Sequence, residues 1–104
     1  MAVSDHINLG WKYFPQQIDA ERSSCEAPTM YKLADEDRWI LLYDIFSIKP
    51  HNSGFMETTD FKNFRHLGHF DEGEIRCTNF SSPKHAAVVP ITAEEATKLE
   101  EYRK

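Results

Sequence analysis

The sequence predicts an α+β fold: an antiparallel sheet of four or five strands, a short middle helix, and a C-terminal helix packed on one face. Three observations predict it. Residues 6–13 alternate polar and apolar, two β-rich runs flank the tetrad Asp35-Glu36-Asp37-Arg38, and Thr92-Ala93-Glu94-Glu95 spells a helix N-terminus. The 104 residues suffice for one domain, 1–104, and not for two.

The elements follow in chain order. Ile7, Leu9, Trp11 and Tyr13 fall on one side of the first segment, and period two means a half-buried strand. Pro15 ends it. Residues 16–28 are polar and read as a connector, with room for a helical turn near Ile18. Runs 29–34 and 39–46 then form a hairpin across the acidic tetrad. The rival reading is a helix opened by Asp35-Glu36-Asp37, whose charges suit a helix N-terminus. In the second run Trp39, Leu41, Tyr43 and Ile45 share one face, while Ile40, Leu42 and Phe46 share the other. Apolar residues on both faces predict a central, doubly covered strand, with the Trp39 set pointing into the main core.

Residues 47–54 read as a loop by composition. A short helix fits 60–67, with Thr59 as its cap, Phe61, Phe64 and Leu67 as its stripe, and Gly68 just past its end. Asp71-Glu72-Gly73-Glu74 then turns a second hairpin into a strand at 75–80, and 86–91 forms a short edge strand ended by Pro90. In the last helix the Thr92 hydroxyl accepts from the Glu95 amide while the Glu95 side chain reaches back, the reciprocal pattern of a capping box. Glu94 and Lys98 are ordered for an i,i+4 pair. Ala93, Ala96, Leu99 and Tyr102 give a thin stripe for packing on the sheet.

A net charge of −5 and the lack of any basic run argue against direct nucleic-acid binding, which rests on Lys and Arg neutralising phosphates. The longest apolar run, 39–43, is too short to span a membrane. The polar start resembles no signal peptide, so a cytoplasmic, reducing compartment and free thiols at Cys25 and Cys77 are expected. A disulfide between the two stays open. There is no Cys-x-x-Cys, no phosphate-binding Gly loop and no Gly-x-Ser-x-Gly element. No family motif is recognisable.

The expected function is a small acidic protein-binding module: an inhibitor, immunity or adaptor protein that occupies a basic partner surface, or an acidic mimic of nucleic acid. Its binding residues are Asp35, Glu36 and Asp37 on one hairpin tip and Asp71, Glu72 and Glu74 on another, where side chains are exposed on a positioned backbone. Trp11, Tyr13 and Phe14, or Phe55, Phe61, Phe64 and Phe70, could add an aromatic recognition surface, though most aromatics in so short a chain should fill the core. The alternative is a metal-independent hydrolase or nuclease gathering His66, His69, Glu74, Arg76 and His85. In that set His and Glu exchange protons and Arg stabilises developing negative charge. No cofactor and no bound zinc are expected, because Gly68 separates His66 from His69 at the helix end and breaks the i,i+3 face. Cys77 shares a strand face with Ile75 and reads as a buried structural thiol.

Overall fold

The structure, a computed structural model, describes residues 1–76 and 81–103. It is an α+β chain. Two short strands, β1 (Ala2–Val3) and β2 (Lys12–Tyr13), pair antiparallel. The main sheet is a four-stranded antiparallel meander in the order β3 (Cys25–Lys32), β4 (Trp39–Ile45), β5 (Asn52–Thr58), β6 (Arg65–His69). One helix, α1 (Ala93–Tyr102), ends the described chain. Among the described residues no helix is long and apolar enough to cross a membrane.

The hairpin around the acidic tetrad forms as expected. The Leu33 amide donates to the Arg38 carbonyl at 3.0 Å, and β3 and β4 pair from Lys32↔Trp39 outward. Strand β4 lies inside the sheet and is apolar on both faces. Leu41, Tyr43 and Ile45 pack with Met56 on one face, and Ile40 and Leu42 pack with Phe55 and Leu67 on the other. Trp39 is half-buried against Phe61, with ring centroids 5.3 Å apart. Phe46 falls just past the strand and is exposed.

Several expectations are corrected. The alternation over 6–13 does not make a strand. Residues 5–9 are a bend, only Lys12–Tyr13 pairs, and Ile7, Leu9, Trp11 and Tyr13 are exposed because no layer covers them. The expected loop at 47–54 overlaps β5: Asn52, Ser53 and Gly54, turn residues by composition, lie in the sheet with Ser53 buried. There is no middle helix over 60–67. The Asp60 carboxylate instead accepts from the Lys62 and Asn63 amides at 2.9 and 2.8 Å, closing a turn that sends the chain into β6. Phe61 takes a left-handed φ of 55° there, which a helix does not allow. Residues 86–91 join no strand.

The second acidic turn is present in part. Gly68 bridges Gly73, and a Cβ on Gly68 would fall 2.7 Å from the Gly73 Cα, so the chain folds back where only glycine fits. The strand expected at 75–80 is not seen at 75–76, and its remainder, with Cys77, lies outside the described residues. The α1 capping box is as expected: Glu95 donates its amide to Thr92 Oγ1 at 3.2 Å, and the Thr92 amide donates to Glu95 Oε2 at 2.8 Å. The Glu94–Lys98 pair closes at 2.7 Å. The helix does not pack on the sheet, however. None of its residues is buried and it contacts no strand.

Candidate functional site

Two irregularities in the sheet place the polar side chains. On β3, Glu26 pairs with Asp44 and Thr29 with Leu42, so one extra residue is accommodated at Ala27-Pro28. Pro28 has no amide to give to the ladder, and Ala27 takes a φ of 49°. On β6, Met56 pairs with His66 and Phe55 with Gly68, leaving Leu67 as the extra residue. This second bulge reverses the parity of the strand. Leu67 joins Phe55 on one face, while His66 and His69, three apart in sequence, lie in the rows of Met56 and Gly54 on the other.

The first cluster centres on Glu21, a connector residue whose side chain is only 12% exposed. Its Oε1 accepts the Tyr43 hydroxyl at 2.9 Å, lies 2.9 Å from His69 Nε2 and 3.6 Å from His66 Nε2. The two imidazoles meet edge to face, with centroids 5.4 Å apart. Glu72 Oε1 stands 3.6 Å from His69 Nδ1. Burial, then the hydrogen bond to Glu21, pushes the Tyr43 phenol well above its ordinary range. Beside it, burial and then the charges of Asp19 and Glu21 raise the Cys25 thiol to about 11, so this cysteine is a poor nucleophile at neutral pH.

The second cluster surrounds Asp44, the one charged residue in β4, which is 4% exposed. Asp44 Oδ1 accepts the Ser53 hydroxyl at 3.1 Å, and Oδ2 accepts the His85 amide at 2.6 Å. The His85 ring bridges two carboxylates: Nδ1 is 3.3 Å from Asp44 Oδ2, and Nε2 is 3.8 Å from Glu26 Oε1. The chain at His85 has a φ of 38° and is tied to β3 by the Thr29 hydroxyl, which donates to the Ala86 carbonyl at 3.0 Å. Left-handed backbone at a non-glycine residue is costly, and this cluster carries it at His85 and directly after Glu26. On the opposite face of the sheet from the Asp44 side chain, a cavity of about 200 Å³ is lined by Ile18, Asp19, Cys25, Leu41 and Tyr43 among others.

The single site expected from His66, His69, Glu74, Arg76 and His85 is therefore divided. His66 and His69 belong to the Glu21 cluster, and His85 belongs to the Asp44 cluster. Glu74 forms a bidentate pair with Arg65 at 2.6 and 3.1 Å, and Arg65 also donates to Glu57 at 2.5 Å. Arg76 is exposed. Of the acidic tips, Asp35, Glu36 and Asp37 are exposed, but Glu36 pairs with Arg38 at 2.9 Å and Asp37 with Lys32 at 3.0 Å. Asp71 accepts from Asn52 at 2.7 Å, and Glu72 leans on His69. Sequence reasoning missed Glu21, Glu26, Tyr43, Asp44 and Ser53 as site residues. Asp44 carried a readable signal, a lone charge inside an apolar run, since a buried polar group is the informative exception in a core. Glu21 carried none.

A family model described as a probable glycosyl hydrolase domain matches residues 1–97. No curated protein and no solved structure matches the chain.

Proposed function

The chain belongs to the family of the probable glycosyl hydrolase domain, and from that premise we propose that it acts on glycosidic bonds, with Glu26 as the proton-transferring carboxyl group. The observation that carries the reading is the His85 ring between Asp44 and Glu26. Most glycoside hydrolysis uses a carboxylic acid to protonate the leaving oxygen and a second carboxylate to meet the positive charge at the anomeric carbon. Asp44 has both oxygens engaged and is buried, so it does not reach a sugar; it orients the imidazole through Nδ1. Glu26, whose side chain is 47% exposed, faces the Nε2 side of that ring from the same face of the sheet as Asp44. His85 and Glu26 can then exchange a proton as the leaving group departs.

The test is turnover of a panel of 4-nitrophenyl glycosides by the full chain. At least one is hydrolysed, and Glu26→Gln lowers kcat by roughly 10²–10⁴-fold. A panel left intact, or a Glu26→Gln enzyme as fast as the parent, overturns the reading.

A second reading is a small acidic protein-binding module acting as an inhibitor, immunity or adaptor protein. It is supported by the Asp35-Glu36-Asp37 tip, where the Asp37 side chain is 89% exposed. Charges at such a tip speed association with a basic partner in a salt-sensitive way. Replacing all three with Ser slows association at low salt on this reading, whereas an unchanged rate discards it. A reducing, cytoplasmic compartment is part of either reading.

A further inference from the structure

We propose that Glu21, His66 and His69 form a binding site for a divalent transition-metal ion of the zinc class, independent of the Glu26 site. Three ligand atoms, one from each residue, lie within 4.8 Å of one another. The arrangement is tighter than that limit implies. Zinc bonds of about 2.0–2.1 Å at tetrahedral angles put neighbouring ligand atoms roughly 3.3 Å apart. Glu21 Oε1 is 2.9 Å from His69 Nε2 and 3.6 Å from His66 Nε2, one distance on each side of that value. Small rotations of the two imidazoles thus bring both nitrogens to bonding distance of one ion without moving the sheet.

The surroundings match what a metal site needs beyond its direct ligands. A ligating imidazole is held by whatever its other nitrogen meets, often a carboxylate. Glu72 Oε1, 3.6 Å from His69 Nδ1, occupies that place. Tyr43 donates to Glu21 Oε1 and fixes the carboxylate from beneath. The backbone is also committed to the geometry. The bulge at Leu67-Gly68 turns both histidines to one face, and Gly68 supplies the φ of 101°. The side chains of His66 and His69 are 35% and 25% exposed, so a fourth position opens to solvent. Three protein ligands with an open position is the pattern of zinc sites that hold water or a substrate atom, rather than of closed structural sites. Imidazole nitrogen with one carboxylate selects zinc, cobalt or nickel over magnesium or calcium, which prefer all-oxygen sets.

The test is a titration of chelator-treated full-length protein with Zn²⁺ by calorimetry, and with Co²⁺ followed by its visible absorption. One equivalent binds, and Co²⁺ gives the intense bands of a low-symmetry four-coordinate site. His66→Ala and His69→Ala each weaken binding by ~100-fold, Glu72→Gln weakens it by about tenfold, and His85→Ala leaves it unchanged. Circular dichroism confirms that each variant keeps the sheet of the parent; if His69→Ala unfolds, the exposed Glu72→Gln and His66→Ala variants decide. Absence of a stoichiometric site overturns the proposal, as does binding that survives both histidine substitutions or is lost in His85→Ala.

Discussion

Tyr43 lies across the bare backbone of Gly54: a Cβ added at Gly54 would stand 2.5 Å from the Tyr43 ring. The two residues are paired between β4 and β5, and His69 pairs with Gly54 from the other side. The missing side chain lets the phenol extend over the sheet to Glu21 and the histidines. One glycine in the middle of a buried strand thus sets the shape of the Glu21 cluster.

Gly54→Ala is therefore expected to destabilise the fold by about 1–3 kcal/mol, the usual range for overfilling a packed core. Gly to Ala elsewhere in a strand tends to stabilise by restricting the unfolded chain, so the sign separates the two cases. Urea denaturation gives the answer, and a variant at least as stable as the parent contradicts the close approach. The same substitution tilts the Tyr43 ring away from Glu21, which near-ultraviolet circular dichroism reports.

Asp60 makes stability depend on acid. Hydrogen bonds from the Asn63 amide first, then from the Lys62 amide and the Asn63 side chain, hold its carboxyl far below the ordinary range. A group whose folded pKa is depressed contributes stability above its unfolded value, about 3.9 for Asp, and loses it as pH falls from there towards the folded value. Glu57 and Glu74 act in the same direction, each lowered chiefly by a hydrogen bond from Arg65. The midpoint of urea unfolding should fall between pH 5 and pH 2, and fall less steeply in Asp60→Asn. Equal slopes for parent and variant would remove Asp60 from the account.

Leu41 tests the sheet that the sequence made legible. It is 6% exposed on β4 and packs with Tyr43, Ile45 and Met56. Leu41→Ala should cost about 2–5 kcal/mol by chemical denaturation, and a loss below about half a kcal/mol would mean that β4 is not central. This strand was readable because its own residues decide its state: seven positions, six of them apolar, bounded by an acidic turn. The α1 cap was readable for the same reason, since Thr92 and Glu95 complete it between themselves.

The strands β5 and β6 were not readable, because distant neighbours decide them. Ser53 and Gly54 look like turn residues until Asp44 and Tyr43 come across from β4 to use the hydroxyl and the empty space. His66 and His69 look like the end of a helix until the bulge at Leu67 returns both to one face. The reverse failure occurs at 6–13, where clean alternation has no layer to pack on, so Ile7 stays 96% exposed. Periodicity reports which face is apolar, and not whether anything covers it.

The helix α1 provides the last test, because its internal order and its isolation pull in opposite directions. It has a complete capping box, two acids in its first turn and a Glu94–Lys98 pair, each worth a fraction of a kcal/mol to about one. It spans ten residues, none of them buried, with Leu99 and Tyr102 exposed. Helices this short are marginal in water without tertiary packing, so the cap and the ion pair alone leave α1 near the midpoint of its own helix–coil balance. Amide exchange should therefore run quickly over 93–102 and slowly over 39–45, where opening requires unfolding the sheet. Thr92→Ala should lower helicity at 222 nm while leaving the urea midpoint of the sheet unchanged. A loss of more than about 1 kcal/mol in the unfolding free energy of the sheet, the size of a cap contribution coupled to the whole fold, would show that α1 is bound to the sheet after all.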